Sequence, residues 1–322
     1  MVLIVRRAAL SLAALALVAL NPVTTPVTAV PVVVDTIDVG GIPVSVAFSP
    51  SGDTAYVTNA GSDTVSVIEV ESGNVTDTIN VGATPYSVAF TPDGAKAYVV
   101  NYDDSTVSVI EVSSGNVTDT INVGEGPYSV AISPNGKKAY VADSTDDTVS
   151  VITVATGTVT RQIRVGDSPY AVAFSPNGKK AYVANNGETN VSVITVAKNK
   201  VTDRIRVDGG PRSVCFSPNG KKAYVTNRNR LTVSAINVAK GKVSDTITVG
   251  GYPESVAFNR DGRYAYVTHS SGNTVSVITV ATGDVTDTIT VGNEPYWVAF
   301  SPNENNAWVT NSDDDTVSII SY

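Results

Sequence analysis

From Val30 onward, apolar residues alternate with Ser, Thr and Asp at a period of two, and turns rich in Pro, Asn and Gly interrupt the pattern every few residues. In the first full unit this predicts four strands: a, Val44 to Phe48; b, Thr54 to Asn59; c, Thr64 to Val70; and d, Asn74 to Val81. Ser49-Pro50-Ser51-Gly52 and Ser72-Gly73 supply the fixed and positive φ angles that tight hairpins need. Strand a is apolar on both faces through Val46-Ala47-Phe48, as expected of a strand buried between neighbouring sheets. Strand d mixes Asp77 and Thr78 with Val75, Ile79 and Val81, which places it outermost, where charge also discourages edge-to-edge pairing. No helical periodicity follows the N-terminus.

The unit recurs. Pro43, Pro85, Pro127, Pro169, Pro211, Pro253 and Pro295 stand 42 residues apart. Tyr56, Tyr98, Tyr140, Tyr182, Tyr224, Tyr266 and Trp308 keep the same step. Seven copies without insertion or deletion fill residues 29 to 322. Four short strands in a period near 40 residues predict an all-β, seven-bladed β-propeller. One blade cannot bury both its faces, so the copies form a single domain, residues 30–322. Val32 to Gly40 matches the end of a repeat, and the chain closes on Thr316-Val317-Ser318-Ile319-Ile320, a third strand without a fourth. The N-terminal strand is therefore expected to complete the last blade and close the ring.

The string Ala55-Tyr56-Val57-Thr58-Asn59 returns as Ala223-Tyr224-Val225-Thr226-Asn227, with near copies elsewhere, beside Ser-Pro-Asn-Gly and Thr-Val-Ser-Val-Ile. Together these strings resemble the YVTN family of β-propeller repeats across all seven copies. The resemblance implies a seven-bladed propeller in mixed company: archaeal surface-layer proteins, exported bacterial propellers and relatives among redox-enzyme subunits. The motif is structural and brings no catalytic residue with it.

The N-terminus reads as a secretory signal over residues 1–29. Arg6 and Arg7 precede an apolar run, Ala8 to Leu20, too short for an ordinary span, and Val27-Thr28-Ala29 offers small residues for cleavage. The alternative is an uncleaved membrane anchor; no later apolar run could span a membrane. These features predict a secreted, periplasmic or cell-surface protein. Cys215, the only cysteine, occupies a position that is Ala in the other copies and reads as a small core residue. Asn74-Val75-Thr76, Asn116-Val117-Thr118 and Asn190-Val191-Ser192 fit the N-glycosylation pattern.

An up-and-down meander sorts the connections onto two rims, and charge sorts with them. The rim of a-to-b and c-to-d turns holds all eleven lysines with Arg260 and Arg263, against six acids: Asp53, Glu71, Asp93, Asp261, Asp284 and Glu304. The rim of d-to-a and b-to-c loops holds fifteen acids against Arg212, Arg228 and Arg230. The formal net charge of -8 conceals this separation. The basic rim, through Lys137, Lys138, Lys179, Lys180, Lys221 and Lys222, would dock on an anionic envelope polymer or a protein. Arg161, Arg164, Arg204 and Arg206 extend it along the outer strands. Nucleic acid is allowed electrostatically but disfavoured by export and by an acidic chain. The simpler reading is that solvated turns keep a strand-rich protein soluble.

The residue after each turn proline should ring the mouth of the central channel: Val44, Tyr86, Tyr128, Tyr170, Arg212, Glu254 and Tyr296. With Trp297 and His269 these are the candidates for a small-ligand site; packing of the tyrosines at the mouth is the competing reading. His269 stands where other copies carry Asn or Asp, either as a polar strand end or as a base. No catalytic residue, metal site or cofactor is expected. A single histidine excludes a multi-histidine metal site, no Cys-x-x-Cys-His or Gly-rich phosphate motif is present, and the Asp-rich loops lack EF-hand spacing. Three functions stay open: a non-enzymatic binding or cell-surface module, an enzyme or ligand-binding subunit working at the channel mouth, and a structural surface-layer component.

Overall fold

The computed structural model describes residues 30–303 and 306–321 and consists almost wholly of antiparallel β-structure. Seven four-stranded sheets each follow simple meander order, and together they form the seven-bladed propeller that the repeat predicts. In the first blade the strands are Pro43–Phe48, Thr54–Asn59, Thr64–Glu69 and Val75–Asn80, within a residue of the sequence expectation. The N-terminal strand Val32–Asp38 pairs antiparallel with Thr316–Ser321 and completes the last blade. The expected signal segment, residues 1–29, lies outside the described residues, as does Glu304 of the basic rim.

The Ala-Tyr-Val-Thr-Asn string reads directly as packing. Its Tyr is almost fully buried and meets the strand-a Phe of the next blade, with ring centroids 4.7 Å apart for Tyr56–Phe90 and 4.6 Å for Tyr140–Phe174, except that Tyr98 packs with Ile132. Trp308 meets Phe48 in the same way at 5.1 Å, so the pattern continues across the chain ends. Each such pair adds about 1 kcal/mol beyond the area it buries. The Val is fully buried in the same strand. The Thr binds across the blade boundary: Thr226 Oγ1 donates to Glu254 O at 3.0 Å, and Thr310 Oγ1 donates to Val44 O at 3.0 Å. The Asn ends strand b and donates inward; Asn59 Nδ2 reaches Thr64 Oγ1 at 3.0 Å and Ser66 Oγ at 2.9 Å. A glycine of the preceding loop lies directly against it. A Cβ on Gly40 would sit 2.6 Å from Asn59 Nδ2, so Gly40 itself admits no side chain, although the fifth blade places Asp208 at the matching position.

Strand a carries a β-bulge immediately after its proline. Pro43 pairs with Asn59 and Ser45 with Thr58, which leaves Val44 unpaired, and the same slip recurs after the proline in every blade. A bulge bends the strand and re-aims a side chain. Here it turns one residue per blade toward the axis.

Candidate functional site

The bulge residues converge at the mouth of the central channel. Val44, Tyr86, Tyr128, Tyr170, Arg212, Glu254, Tyr296 and Trp297 line one cavity of about 20 Å³. That is room for about one water molecule. The candidates are therefore brought together, and their side chains fill the mouth.

The plug is ordered around one carboxylate. Arg212 Nε lies 2.7 Å from Glu254 Oε2, and Arg228 Nε lies 2.8 Å from Glu254 Oε1. Ser270 Oγ also donates to Oε1 at 2.8 Å. The Arg212–Oε2 approach is a charge contact without hydrogen-bond alignment, since Oε2 has no aligned donor. Arg212 also donates to Tyr296 Oη at 2.6 Å and stacks over the Tyr170 ring at 4.5 Å. Tyr128 and Tyr296 share a hydroxyl contact of 3.1 Å across the axis. Tyr86, Tyr128 and Tyr170 stack in sequence at 4.4 and 4.1 Å. Burial raises the Tyr296 phenol to about 12, overcoming the lowering effect of Arg212. Burial alone would lower Arg212, but Tyr296, Tyr128 and Glu254 together outweigh it and hold the guanidinium above its ordinary value. The mouth thus holds one buried carboxylate between two guanidinium groups inside a tyrosine collar.

His269 is not part of this assembly. It is fully buried inside the sixth blade, where its Nε2 shares a hydrogen bond of 2.8 Å with Ser276 Oγ in the way the Asn of other blades meets its Ser. Burial pulls its pKa down to about 4, against the opposing influence of Glu254. The loop above it also differs from its counterparts. Positive φ falls on Gly251, 43°, one residue earlier than at the matching Ile42, Thr84 or Ser168 of other blades. Cys215 is half-buried against the core, with its thiol pushed up to about 11 by burial. Three contributors to the mouth were not among its candidates. Arg228 and Ser270 bind Glu254, and Tyr102 packs against Tyr86 and Tyr128 at 5.3 and 5.7 Å. All three directly follow the strand-b Asn or His position, so the same 42-residue alignment would have singled them out.

The acidic rim uses its charge internally. Asp63 Oδ1 accepts the Thr84 N–H of the next blade at 2.8 Å, Asp147 Oδ1 accepts that of Ser168 at 2.9 Å, and Asp315 Oδ1 accepts that of Ile42 at 2.8 Å across the closure. Asp104, Asp146 and Asp314 take loop N–H groups within their own blades. The matching position is Ser105, Thr189 and Leu231 in the second, fourth and fifth blades, which carry no carboxylate there; exposed Leu231 has φ 57°, and Arg228 stacks on exposed Tyr252 at 4.7 Å.

The basic rim is built differently. Among the described residues the ion pairs are Arg204–Glu188, Arg212–Glu254, Arg228–Glu254 and Arg263–Asp261, and none includes a lysine. Lys137, Lys179 and Lys221 are exposed at equivalent turn positions. Lys138 donates to Val196 O at 3.1 Å and Lys222 to Val280 O at 2.6 Å, each bracing a neighbouring blade. Lys180 is half-buried beside Lys179. Three clefts of about 710, 610 and 450 Å³ open between consecutive blades on this rim, from the third blade to the sixth, and these lysines line them. Among the described residues no cluster of three or more His, Cys, Asp or Glu could hold a metal ion, and no helix is long and apolar enough to cross a membrane.

Comparison with known proteins places the fold. In all, 1749 chains among solved structures resemble this one, too many for likeness of fold to select a function. One is Kuenenia stuttgartiensis hydrazine synthase, at 25% sequence identity and a TM-score of 0.82, covering 87% of this chain and 96% of that one. No curated protein matches. Residues 105–321, more than half of the chain, match the choice-of-anchor I domain family, and the chain is a member of that family.

Proposed function

We propose that the protein is an exported, non-enzymatic interaction module that docks through its basic rim on an anionic component of the cell envelope. The observation that carries this reading is the unequal use of charge on the two rims. Carboxylates of the acidic rim hold loop N–H groups, whereas Lys137, Lys179 and Lys221 stand exposed and none of the lysines is ion-paired among the described residues. Charge held by the fold needs no further partner; charge left in solvent on one face attracts an opposite surface. The channel mouth, with room for about 20 Å³, favours packing over a ligand cup. The leader-like N-terminus, the likeness of the repeats to YVTN propellers and the anchor named in the family description accord with a surface location.

Retention of residues 30–322 on an anionic resin tests the reading. Retention should fall steeply with salt, because charges in water are screened over about 10 Å at 0.1 M salt. Lys137→Glu, Lys179→Glu and Lys221→Glu together should abolish it. Retention indifferent to salt, or equal in the triple variant, sinks the reading.

A further inference from the structure

We infer that the three clefts of the basic rim form one continuous binding track for a linear anionic polysaccharide, an inference that rests on the proposed docking role of that rim. The clefts are contiguous because each turn serves two of them. Asn177 and Lys179 line both the first and the second cleft, and Asn219 and Lys221 line both the second and the third. The periodic chain therefore presents one amide and one ammonium per blade step along an arc of the ring. Packed sheets stand about 10 Å apart, so the track runs over roughly 20–30 Å.

The chemistry within each cleft selects the polymer. The floor is apolar, made by Pro176 and the Val196–Ala197 pair in the first cleft, and by Val238 with Ala239 and Val280 with Ala281 in the next two. The edges are polar. Asn135, Asn177 and Asn219 each use Oδ1 to accept a turn hydroxyl and a turn N–H, as Asn177 does from Ser175 Oγ at 2.9 Å and Lys179 N at 3.0 Å. Their Nδ2 groups remain as donors at the cleft. A sugar unit offers a C–H face to such a floor, hydroxyls to the amide and the backbone carbonyls, and a carboxylate to the lysine. Polyphosphate has no apolar face. Single-stranded nucleic acid is held largely by stacking on aromatic rings, and the first two clefts contain none. Lysine is also a point charge without the fork that selects phosphate, which suits one charge per repeating unit. Asp93 of the second blade and Asp261 of the sixth replace the Asn of these turns, so the run of Asn turns stops on either side.

The test uses residues 30–322 with oligogalacturonates of two to twelve units, polyphosphate and oligo(dT), titrated at low and high salt. Affinity for the oligogalacturonates should rise at least tenfold when the oligomer becomes long enough to bridge two clefts, and again at three, as linked sites require. Asn177→Asp with Asn219→Asp keeps the turn acceptor, which Asp93 already provides in the second blade, but places a carboxylate at the cleft. That variant should fold normally and lose at least tenfold in oligogalacturonate affinity. Polyphosphate binding that is sensitive to the lysine charges, without a length step or an effect of the Asn variants on oligogalacturonate, overturns the track but leaves the docking role. Tighter binding of oligo(dT) than of oligogalacturonate of equal charge overturns the track in favour of nucleic acid. No binding of any polyanion at low salt removes both readings.

Discussion

Replacing Asp143 with Asn restores the side chain that five other blades place at the end of strand b, and it should stabilise the protein at neutral and alkaline pH. Asp143 is fully buried. Its Oδ2 accepts from Thr148 Oγ1 at 2.9 Å and Ser150 Oγ at 2.8 Å, the reverse of the Asn blades, where the amide donates to those hydroxyls. Its Oδ1 has no partner. Burial raises the carboxyl from its ordinary 3.8 to about 7, against both hydroxyls, which favour the ionised form. Between those values the folded protein holds a proton that the unfolded chain has lost, so stability falls as pH rises. At about 1.4 kcal/mol per pH unit over roughly three units, the loss approaches 4 kcal/mol and is complete above pH 7. Guanidinium unfolding of the parent and Asp143→Asn from pH 3.5 to 9 reads this directly. The two should coincide at the acid end and separate to about 4 kcal/mol at pH 8 in favour of the variant. A difference that does not depend on pH, or a variant less stable at pH 8, refutes the reasoning.

His269 supplies the opposite limb. With its pKa depressed to about 4 by burial, it contributes stability that is lost as pH falls from about 6.5, and His269→Asn should remove roughly 3 kcal/mol of acid dependence in the same assay; an unchanged acid limb contradicts this. Glu254→Ala strands Arg212 and Arg228 without their carboxylate and should cost about 3–5 kcal/mol in denaturant unfolding, whereas a loss under 1 kcal/mol would show that the plug is solvated. Leu231→Asn relieves a left-handed backbone at a bulky residue and should raise stability by about 1 kcal/mol by calorimetry; a destabilised variant speaks against strain there. Removing residues 30–38 leaves Thr316–Ser321 as an open edge, so the shortened chain should melt earlier and associate on gel filtration. An unaltered melt would mean that the ring does not depend on its closing strand.

How much was legible follows from the range of each interaction. The turn prolines, the strand-b aromatics and the Ala-Tyr-Val-Thr-Asn string recur at a single spacing, and their main contacts are with the same or the adjacent blade. Period and alternation therefore sufficed to determine blade count, strand order, ring closure and the charge of each rim, because backbone pairing and burial impose those patterns locally. The mouth residues were legible as a ring for the same reason. That the ring is a plug was not, because Arg212 meets Tyr296 from 84 positions away, across the axis, where side-chain volumes and not spacing determine what space remains. His269 looked like a mouth residue, yet strand b ends inside the blade and buries it on Ser276. The clefts of the basic rim lie between sheets, so no single repeat contains one. The amino-acid sequence by itself determined the propeller and which face carries which charge. Only the tertiary structure decided which charges the fold uses and which it leaves to solvent, since that depends on distances between blades that no one-dimensional pattern records.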